Sequence, residues 1–216
     1  MTVKLINYSQ TSDGKSLLEQ VAFAARVSNP ANQNNMETAE KLVRYLIKNQ
    51  HWSPLEMVSV CLEIETTRDI ARQILRHRSF AFQEFSQRYA VADLGWELKE
   101  ARMQDTKNRQ NSIAVDNPAL ATWWETYQNK VIETSLDAYK FAIEKGIAKE
   151  QARAVLPEGL TKSRLYMNGT LRSWVHYIQL RSANGTQKEH QYVAVKCSAA
   201  IEEIFPMIKE FTNEQS

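Results

Sequence analysis

One change of period constrains this chain more than any other feature of its sequence. From residue 57 to residue 66, apolar and polar side chains alternate, which is the pattern of a strand with one buried face. From residue 67 to residue 78 the period becomes helical. The two faces of that helix carry Ile70, Ile74 and Leu75 on one side and Arg68, Arg72 and Arg76 on another. The pattern predicts a half-buried strand that runs directly into an amphipathic helix with a row of arginines.

The remaining segments mix strands and helices in no regular order. Short strands are predicted at residues 3–8 and 161–167, and residues 82–89 are expected to be extended. Helices are predicted at residues 16–27, 38–49, 118–145, 149–155, 171–181 and 187–211. Residues 29–35 form a predicted polar loop, and residues 92–117 a polar, irregular and mobile insertion. This order favours an α+β fold: one domain over residues 1–216, with a central, mostly antiparallel sheet flanked by long helices.

Composition excludes several classes of protein. Hydrophobic residues make up 43% and charged residues 24% of the chain, as in ordinary globular domains. A formal net charge of +2 is too small for general nucleic-acid binding, so any anion site must be local. Cys61 and Cys197 match no zinc or CxxC spacing, which predicts no metal site and no disulfide framework, and both are expected to be core thiols. Without a signal peptide or a long apolar run, the chain is expected to be cytoplasmic.

The densest chemical signal lies between residues 73 and 89, where arginines, a histidine and a glutamate stand close together. If residues 82–88 are extended, Glu84, Ser86 and Arg88 project to one side, because side chains alternate along a strand. A hydroxyl and a guanidinium on one face suit a phosphate, since arginine offers a bidentate fork and serine a further donor. From composition alone, a solvated basic helix end followed by a loop is an equal alternative.

Ordered motifs along the chain change that balance. Arg76-His77-Arg78 is followed, after seven residues, by Ser86-Gln87-Arg88-Tyr89. The other motifs are Ala24-Ala25-Arg26-Val27-Ser28, His51-Trp52-Ser53-Pro54-Leu55-Glu56, Arg153-Ala154-Val155-Leu156-Pro157, and Leu171-Arg172-Ser173-Trp174 with His176, Leu180-Arg181, Gln187 and Glu189. Together they resemble the flavin-dependent thymidylate synthase family from about residue 20 to about residue 210.

The resemblance implies a reaction and its small-molecule partners. In this family NADPH reduces FAD, methylenetetrahydrofolate supplies one carbon, and dUMP becomes dTMP without an enzymic nucleophile. The sequence agrees on the last point, because it has no Pro-Cys motif of the kind that other thymidylate synthases use for covalent attack. It also has no Gly-x-Gly-x-x-Gly turn, so side chains must neutralise the FAD pyrophosphate. The family forms homotetramers, and no membrane or nucleic-acid partner is expected.

The resemblance also assigns residues to the two ligands. The dUMP contacts fall on Gln73, Arg76, Glu84, Ser86, Gln87, Arg88, Arg153 and Arg181. The FAD contacts fall on His51, Ser53, Arg76, His77, Arg78, Glu84, Thr170, Arg172 and His176. Ser86 and Arg88 are expected to take the phosphate. Arg181 is the expected catalytic residue, and it stabilises negative charge on the uracil ring as N3 ionises. Its role is electrostatic, because arginine is a poor proton donor. His51 is the weakest assignment, and a turn residue satisfied by a backbone group is the alternative.

The predicted helix at residues 171–181 divides these roles between two faces. At about 100° per residue, Arg172 and His176 share one face with Gln179, whereas Trp174, Ile178 and Arg181 share another. Two faces of one helix then serve two sites, as expected where sites form between subunits. The alternative is that Trp174 and Ile178 mark a core stripe with Arg181 at its end.

Four positions depart from the family pattern: Ala81, Gln83, Thr170 and Gly185. They weaken the expected flavin contacts, Thr170 most of all, and leave the arginines unaffected. The resemblance does not place residues 92–117, and we take as a hypothesis that they cover the folate or nicotinamide site.

Two other functions stay open on the sequence alone. A nucleic-acid-binding protein would place the arginines of residues 68–89 on phosphates and stack the aromatic residues on bases. The residues of this nucleic-acid-binding surface would be Arg68, Arg72, Arg76, Arg78, Arg88, Phe80, Phe82 and Tyr89. The near-neutral charge argues against it. The other alternative is a flavin reductase or folate-binding enzyme without methyl transfer.

Overall fold

Helices and strands alternate irregularly along residues 1–212, the part of the chain that the computed structural model describes. In chain order they are β1 (Thr2–Tyr8), α1 (Leu17–Ala25), α2 (Ala39–Lys48), β2 (Ser59–Thr67), α3 (Arg68–Ile74), β3 (Phe80–Glu84), β4 (Arg102–Gln104), β5 (Ser112–Ala114), α4 (Pro118–Glu144), α5 (Lys149–Ala152), β6 (Lys162–Thr170), α6 (Leu171–Ser182) and α7 (Lys188–Glu202). Short 3₁₀ segments lie at Pro30–Asn32, Ser53–Glu56, Arg153–Val155 and Pro206–Phe211.

The central sheet has four strands in the order β1-β2-β6-β3, and every neighbouring pair is antiparallel. β4 and β5 form a separate antiparallel hairpin. β2 is followed directly by α3 and β6 directly by α6, and because the two strands are antiparallel the two helices begin at opposite ends of the sheet. The predicted α+β fold with an antiparallel sheet is confirmed.

The alternation in β2 produces the buried face that the sequence predicts. Val60, Leu62 and Ile64 are fully buried, whereas the residues between them are partly exposed. α7 packs on β1 and β2, and α6 packs on α7. Trp174 of α6 is completely buried, and its Nε1 donates a hydrogen bond to the Val60 carbonyl at 2.9 Å. A buried indole N–H needs such a partner, so this bond fixes α6 against β2.

The two cysteines differ in position. Cys197 is buried in the core as predicted, but Cys61 lies on the other face of β2 and is only half-buried. The prediction that both are core thiols is therefore wrong for Cys61, because odd positions of this strand point away from the core. Burial raises the pKa of both thiols. A thiol with a raised pKa forms little thiolate, so neither residue is set up as a nucleophile.

Glycine is required where β6 meets β3. Gly169 pairs with Phe80 across the two strands, and a Cβ added at residue 169 would overlap the Phe80 ring. That ring also packs edge-on against Trp174, with 4.8 Å between the ring centroids. The absence of a side chain at Gly169 therefore leaves room for the Phe80 ring where it contacts α6.

The prediction of an extended segment at residues 82–89 is wrong over its second half. β3 ends at Glu84, and the backbone N–H groups of Tyr89 and Ala90 both donate to the Ser86 carbonyl, which closes a turn. Pairing with β6 decides where β3 ends, and Phe85 makes the last bond, to Arg164. Glu84, Ser86 and Arg88 are consequently not three alternating residues of one strand.

Several helix and strand ends also differ from prediction. α3 stops at Ile74, four residues before the predicted end, so Arg76 is not part of its helical row. The predicted helix at residues 187–211 is two segments, because Pro206 lacks an N–H and disfavours helix at the residue before it. The predicted helix at residues 149–155 continues as a 3₁₀ segment after Ala152. β6 extends to Thr170, three residues past the predicted end, because β2 pairs with it throughout.

The polar segment at residues 92–117 is not irregular throughout. It contains the β4–β5 hairpin, and Trp96 bridges to Thr161 beside the main sheet. Lys99 exchanges backbone hydrogen bonds of 2.7 and 2.9 Å with the buried Gln128 side chain on α4. The segment is thus attached at both the sheet and α4.

The long helix α4 is mostly exposed. Of its 27 residues, only Gln128, Tyr139 and Ala142 are buried. Its exposed side chains include Trp123, Trp124, Tyr127, Val131 and Phe141. No helix within residues 1–212 combines the length and apolarity that a bilayer crossing requires.

Candidate active site

The turn after α3 sends the side chains of Arg76-His77-Arg78 in two directions. Arg76 and Arg78 are exposed, whereas His77 is half-buried and packs edge-on against Tyr177, with 4.9 Å between the ring centroids. Within residues 1–212, no carboxylate forms a salt bridge with Arg76 or Arg78. Two positive charges therefore stand at one end of the sheet without an anionic partner among the described residues.

Arg181 is connected to this turn through His77. The Arg181 Nε donates a hydrogen bond to His77 Nε2 at 2.9 Å. Burial, together with the charges of Arg181 and Arg76, lowers the pKa of His77 to about 4. His77 is then neutral near pH 7, so it acts as an acceptor that orients Arg181 and not as a cation that neutralises a pyrophosphate. The expected catalytic arginine thus lies beside the Arg76 turn.

Ser86, Arg88 and Arg153 form a second group. The Ser86 Oγ accepts a hydrogen bond from the Arg88 backbone N–H at 3.3 Å, so its own hydroxyl proton stays available for another acceptor. The Arg88 Nε lies 3.7 Å from the Glu150 carboxylate, and the Arg153 Nε donates to the Glu150 carbonyl at 3.3 Å. Both arginines therefore converge on one turn of α5, although they are 65 residues apart in sequence (153 − 88).

Gln87 lies next to this group and is 97% buried, since its exposed fraction is 3%. Its side-chain nitrogen has no hydrogen-bond partner within residues 1–212. A buried amide donor without a partner costs on the order of 1–3 kcal/mol, so this nitrogen is suited to a contact from outside the chain.

Glu84 belongs to a salt-bridge network of α3. Its carboxylate accepts hydrogen bonds from Arg72 at 3.0 Å and from the Ser163 hydroxyl at 2.9 Å, and it lies 3.8 Å from Arg68. Both arginines also reach Glu158. Glu84 therefore holds α3 to the sheet in this structure, a role that its sequence position did not reveal.

The residues expected to bind FAD near the start of α6, Arg172 and His176, lie beside the 3₁₀ segment Ser53–Glu56. The Arg172 Nη1 donates to Glu56 Oε1 at 2.6 Å, while the Arg172 Nε is shielded from solvent and has no partner within residues 1–212. His176 packs edge-on against Trp52 at 4.5 Å between ring centroids, and burial followed by the Arg172 charge lowers its pKa. A shielded guanidinium N–H without an acceptor is the feature expected where an anionic or carbonyl group of a cofactor binds.

An apolar cleft of about 670 Å³ lies between Ser53 and the end of α1. Its walls come from the 3₁₀ segment and from the end of α1, including Phe23, Ala24, Val27, Ser53, Pro54 and Met57. It joins two motifs that are distant in sequence, residues 24–28 and residues 51–56. A volume of this size and an apolar lining suit one planar ring system.

Thr170 and His51 have local structural roles. Thr170 is the N-cap of α6, and its hydroxyl oxygen accepts a hydrogen bond from the Ser173 backbone N–H at 3.3 Å. The departure at Thr170 is therefore compatible with a well-formed helix start. His51 is exposed at the end of α2, and its ring lies edge-on to Tyr45, 6.0 Å away between centroids.

A row of polar side chains that sequence reasoning missed leads from the core to Gln73. Tyr177 Oη lies 3.1 Å from His190 Nε2, and His190 Nδ1 lies 3.2 Å from Gln73 Oε1. The Gln73 Nε2 donates to Gln187 Oε1 at 2.7 Å, and the Gln187 Nε2 donates to Glu189 Oε2 at 2.9 Å. We call these five residues the buried polar row. The sequence identified Gln73, Gln187 and Glu189 as motif residues but gave no signal that connects them to His190 and Tyr177.

A second cleft, larger than the one beside Ser53, lies elsewhere. It measures about 780 Å³ between the β4–β5 hairpin, the start of α4 and the start of α7. Its lining includes Arg102, Arg109, Trp123, Trp124, Gln187 and Tyr192, and none of the residues expected to bind dUMP or FAD. Arg102 forms a salt bridge with the buried Glu189, which joins this cleft to the end of the buried polar row.

Comparisons with known proteins agree with the fold and with the family resemblance. A family model described as "Thymidylate synthase complementing protein" matches residues 4–207. A probable flavin-dependent thymidylate synthase of Paramecium bursaria Chlorella virus 1 is 48% identical over 210 residues, which cover 96% of this chain and 97% of that protein. The flavin-dependent thymidylate synthase of Synechocystis is 45% identical over 213 residues, with the same coverage of both chains.

A solved structure also shares the fold. The UMP/dUMP methylase PolB from Streptomyces cacaoi, bound with 5-Br dUMP, superposes with a TM-score of 0.81 at 27% sequence identity. The match covers 97% of this chain and 93% of that chain. The fold, with its unpaired arginines, is that of a methyltransferase enzyme. The family match over most of the chain is more specific: the chain belongs to the flavin-dependent thymidylate synthase family, as its motifs predicted.

Proposed function

We propose that the chain catalyses the reductive methylation of dUMP to dTMP, with methylenetetrahydrofolate as the carbon donor and FAD reduced by NADPH as the hydride donor. The single observation that carries this proposal is the presence of arginines without carboxylate partners at the positions that the family motifs assign to two anionic ligands. Arg76, Arg78, Arg153 and Arg181 form no salt bridge within residues 1–212. Both dUMP and FAD carry phosphate groups, which guanidinium groups bind well.

The residues near α6 fit a flavin. Arg172 offers its shielded Nε, Ser53 stands at the edge of the apolar cleft, and the exposed Arg78 offers a positive charge for a pyrophosphate. The proposed FAD contacts are completed by His51, Arg76, His77, Glu84, Thr170 and His176. Bound FAD, once reduced by the nicotinamide, supplies the hydride that completes the methyl group on C5 of dUMP.

The chain's own residues hold and polarise dUMP. Ser86, with its free hydroxyl proton, and Arg88 bind the phosphate, and Arg153 adds charge from α5. Arg181 faces the uracil edge, where its fixed charge stabilises negative charge as N3 ionises. Because His77 is neutral and accepts from the Arg181 Nε, the guanidinium keeps its full charge and a defined orientation. The remaining proposed dUMP contacts are Gln73, Arg76, Glu84 and Gln87.

We also propose that the chain, as one catalytic domain, works as a homotetramer. The support is the aromatic face of α4, where Trp123, Trp124 and Tyr127 are between 37% and 51% exposed. A contiguous apolar surface of this kind usually marks an interaction site. An assembly of copies also explains how residues held in separate groups within one chain form shared sites.

The nucleic-acid-binding alternative loses its basis in the same contacts. It requires Arg68 and Arg72 to face phosphates, but both are engaged by Glu84 and Glu158, and Arg68 is only 7% exposed. A row of paired arginines presents little net positive charge to a polyanion.

The test is the visible spectrum of the purified protein together with direct measurement of dTMP. We expect flavin absorbance, bleaching by NADPH, and dTMP formation that depends on methylenetetrahydrofolate. A protein that takes up no FAD would overturn the proposal. NADPH oxidation without any dTMP would favour a flavin reductase instead, so product must be quantified and not only cofactor turnover.

A further inference from the structure

The buried polar row has a fixed direction, and the direction starts at Glu189. Burial acts to raise the pKa of the Glu189 carboxyl, but a backbone hydrogen bond and hydrogen bonds from Arg102 and Gln187 outweigh burial and lower it. An ionised carboxylate only accepts hydrogen bonds. Gln187 must therefore turn its Nε2 toward Glu189, which leaves the Gln187 Oε1 to face Gln73.

The direction continues through Gln73 to His190. Because Gln187 presents an oxygen, Gln73 must turn its Nε2 toward Gln187 and its Oε1 toward His190. An amide oxygen cannot donate, so the His190 Nδ1 must carry the proton. The oxygen and nitrogen of each side-chain amide are assigned here from their hydrogen-bond partners, because the two atoms have nearly the same size and shape.

Tyr177 closes the row at its core end. Burial, then the charges of Arg181 and His77, lower the pKa of His190 to about 3, so the ring is neutral. With Nδ1 protonated, Nε2 accepts, and the Tyr177 hydroxyl donates to it. Burial raises the pKa of Tyr177 well above its ordinary value, which keeps that proton in place. Each bond of the row is thus satisfied in one orientation only.

We infer that His190 is a positioning residue for dUMP binding: through its Nδ1–H it locks the Gln73 side-chain amide, so that the Gln73 nitrogen keeps one N–H for an oxygen of the nucleotide. The inference rests on the proposed function, because the contact between Gln73 and dUMP is part of that proposal. Reversing the amide would set the Gln73 and Gln187 oxygens against each other, 2.7 Å apart. The oxygen that Gln73 meets is either a phosphate oxygen or a uracil carbonyl, since both are acceptors.

Two substitutions at residue 190 separate positioning from packing. In His190→Asn, the side-chain nitrogen replaces Nδ1 and still donates to Gln73, but the bond to Tyr177 is lost. In His190→Gln, the amide reaches toward Tyr177, but the donor to Gln73 is lost. Both variants remove a ring from the same buried position, so they share that structural defect. They differ in whether residue 190 donates a hydrogen bond to Gln73.

The quantity to measure is the dissociation constant of dUMP from the FAD-loaded protein, determined by titration calorimetry. We expect His190→Gln to raise the dissociation constant about tenfold, which corresponds to the loss of one hydrogen bond to a charged or carbonyl oxygen. In His190→Asn the dissociation constant should stay within about threefold of that of the unsubstituted protein. FAD content should be unchanged in both. Equal losses in the two variants, or no loss in either, would overturn the inference.

Deoxyuridine identifies the acceptor. If His190→Gln weakens dUMP but not deoxyuridine, Gln73 meets the phosphate; if it weakens both, Gln73 meets the uracil ring. If the unsubstituted protein does not bind dUMP at all, the proposed function fails and the inference with it. If it binds dUMP but the two variants behave alike, only the inference fails.

The tautomer of His190 offers a measurement that needs no core substitution. Nitrogen NMR of the histidine-labelled protein distinguishes a ring protonated at Nδ1 from one protonated at Nε2. We expect the Nδ1–H form at His190. The opposite tautomer would require a reversed Gln73 amide and would overturn the inference even if both variants failed to fold.

Discussion

The arginines of α3 and those of the turn that follows it stand only a few residues apart but are used differently. Arg68 and Arg72 are held by Glu84 and Glu158, so their charges are neutralised within the chain. Arg76 and Arg78 have no such partner within residues 1–212. The spacing of arginines along a sequence therefore does not identify an anion site. The carboxylates that the fold brings to each arginine decide which charges remain for a ligand.

The largest effect is expected on the paired side of this comparison, in Glu189→Ala. Glu189 is 5% exposed and paired with Arg102, so its removal leaves a shielded guanidinium without its main anion. We expect the free energy of unfolding to fall by about 3 kcal/mol, measured by chemical denaturation. Lys209→Ala, which breaks a surface pair with Glu202, is the control and should change stability by less than about 1 kcal/mol. Similar losses in both variants would show that burial does not distinguish the paired charges.

The next effect is expected on the unpaired side, in Arg181→Ala. A fixed charge at developing negative charge contributes about 3 kcal/mol to catalysis, so dTMP formation in a single turnover should fall roughly 100- to 1,000-fold. Arg164→Ala is the matched control, because Arg164 is paired with Glu65 on the outer face of the sheet. A loss in Arg164→Ala as large as that in Arg181→Ala would contradict the division between the two sets of arginines.

A smaller effect separates neighbours along the chain. Arg78→Ala should weaken FAD binding about tenfold to a hundredfold, as expected for about 1.5–3 kcal/mol from a charge-assisted hydrogen bond. Arg72→Ala should leave FAD binding unchanged, because Arg72 is already engaged by Glu84 and Glu158. Flavin titration of both variants measures the difference. If the order is reversed, the paired arginine is the ligand residue.

The smallest effect, taken per pH unit, is a dependence of stability on pH. His190 has a folded pKa of about 3, below the ordinary value of 6.5, so the unfolded chain binds a proton that the folded chain does not. Stability is therefore complete above about pH 6.5 and falls as the pH drops toward 3, by at most about 1.4 kcal/mol per pH unit from this residue. His77, with a pKa of about 4, acts in the same direction.

Denaturation between pH 6.5 and pH 5 tests this dependence, because the carboxyl groups titrate mainly below that range. In His190→Asn the slope should be shallower than in the unsubstituted protein. An unchanged slope would mean that His190 is not the neutral buried group that the structure describes.

Features set by local sequence were predicted well. The alternation of β2, the start of α4 at Pro118 and the family motifs all depend on residues close together in the chain. The end of β3 was missed because pairing with β6, some 80 residues away, determines it (164 − 84). The inward position of His77 was missed for the same reason, since its partners Tyr177 and Arg181 lie on α6.

The buried polar row shows where single-sequence reasoning ends. Gln73 and His190 are separated by 117 positions, and neither has a local pattern that announces the other. Gln187 and Glu189 were recognised as part of a motif, but the direction of their hydrogen bonds depends on Arg102, in a segment that the resemblance did not place. Physical pairing across the fold, and not periodicity, creates this part of the site.

Gly169 has a consequence for which substitutions would disturb the site from a distance. Its missing side chain leaves room for the Phe80 ring, and the backbone carbonyl of Ser79, next to Phe80, accepts a hydrogen bond from Ser173 on α6. The loop that carries Arg76 and Arg78 enters the sheet at that point. A methyl group at residue 169 would overlap the Phe80 ring, so that ring would have to move away from its place against α6, although no ligand-binding atom is removed. A harmful variant of this protein need not contact either nucleotide, because a side chain added under the Phe80 ring is enough to disturb the packing of this region.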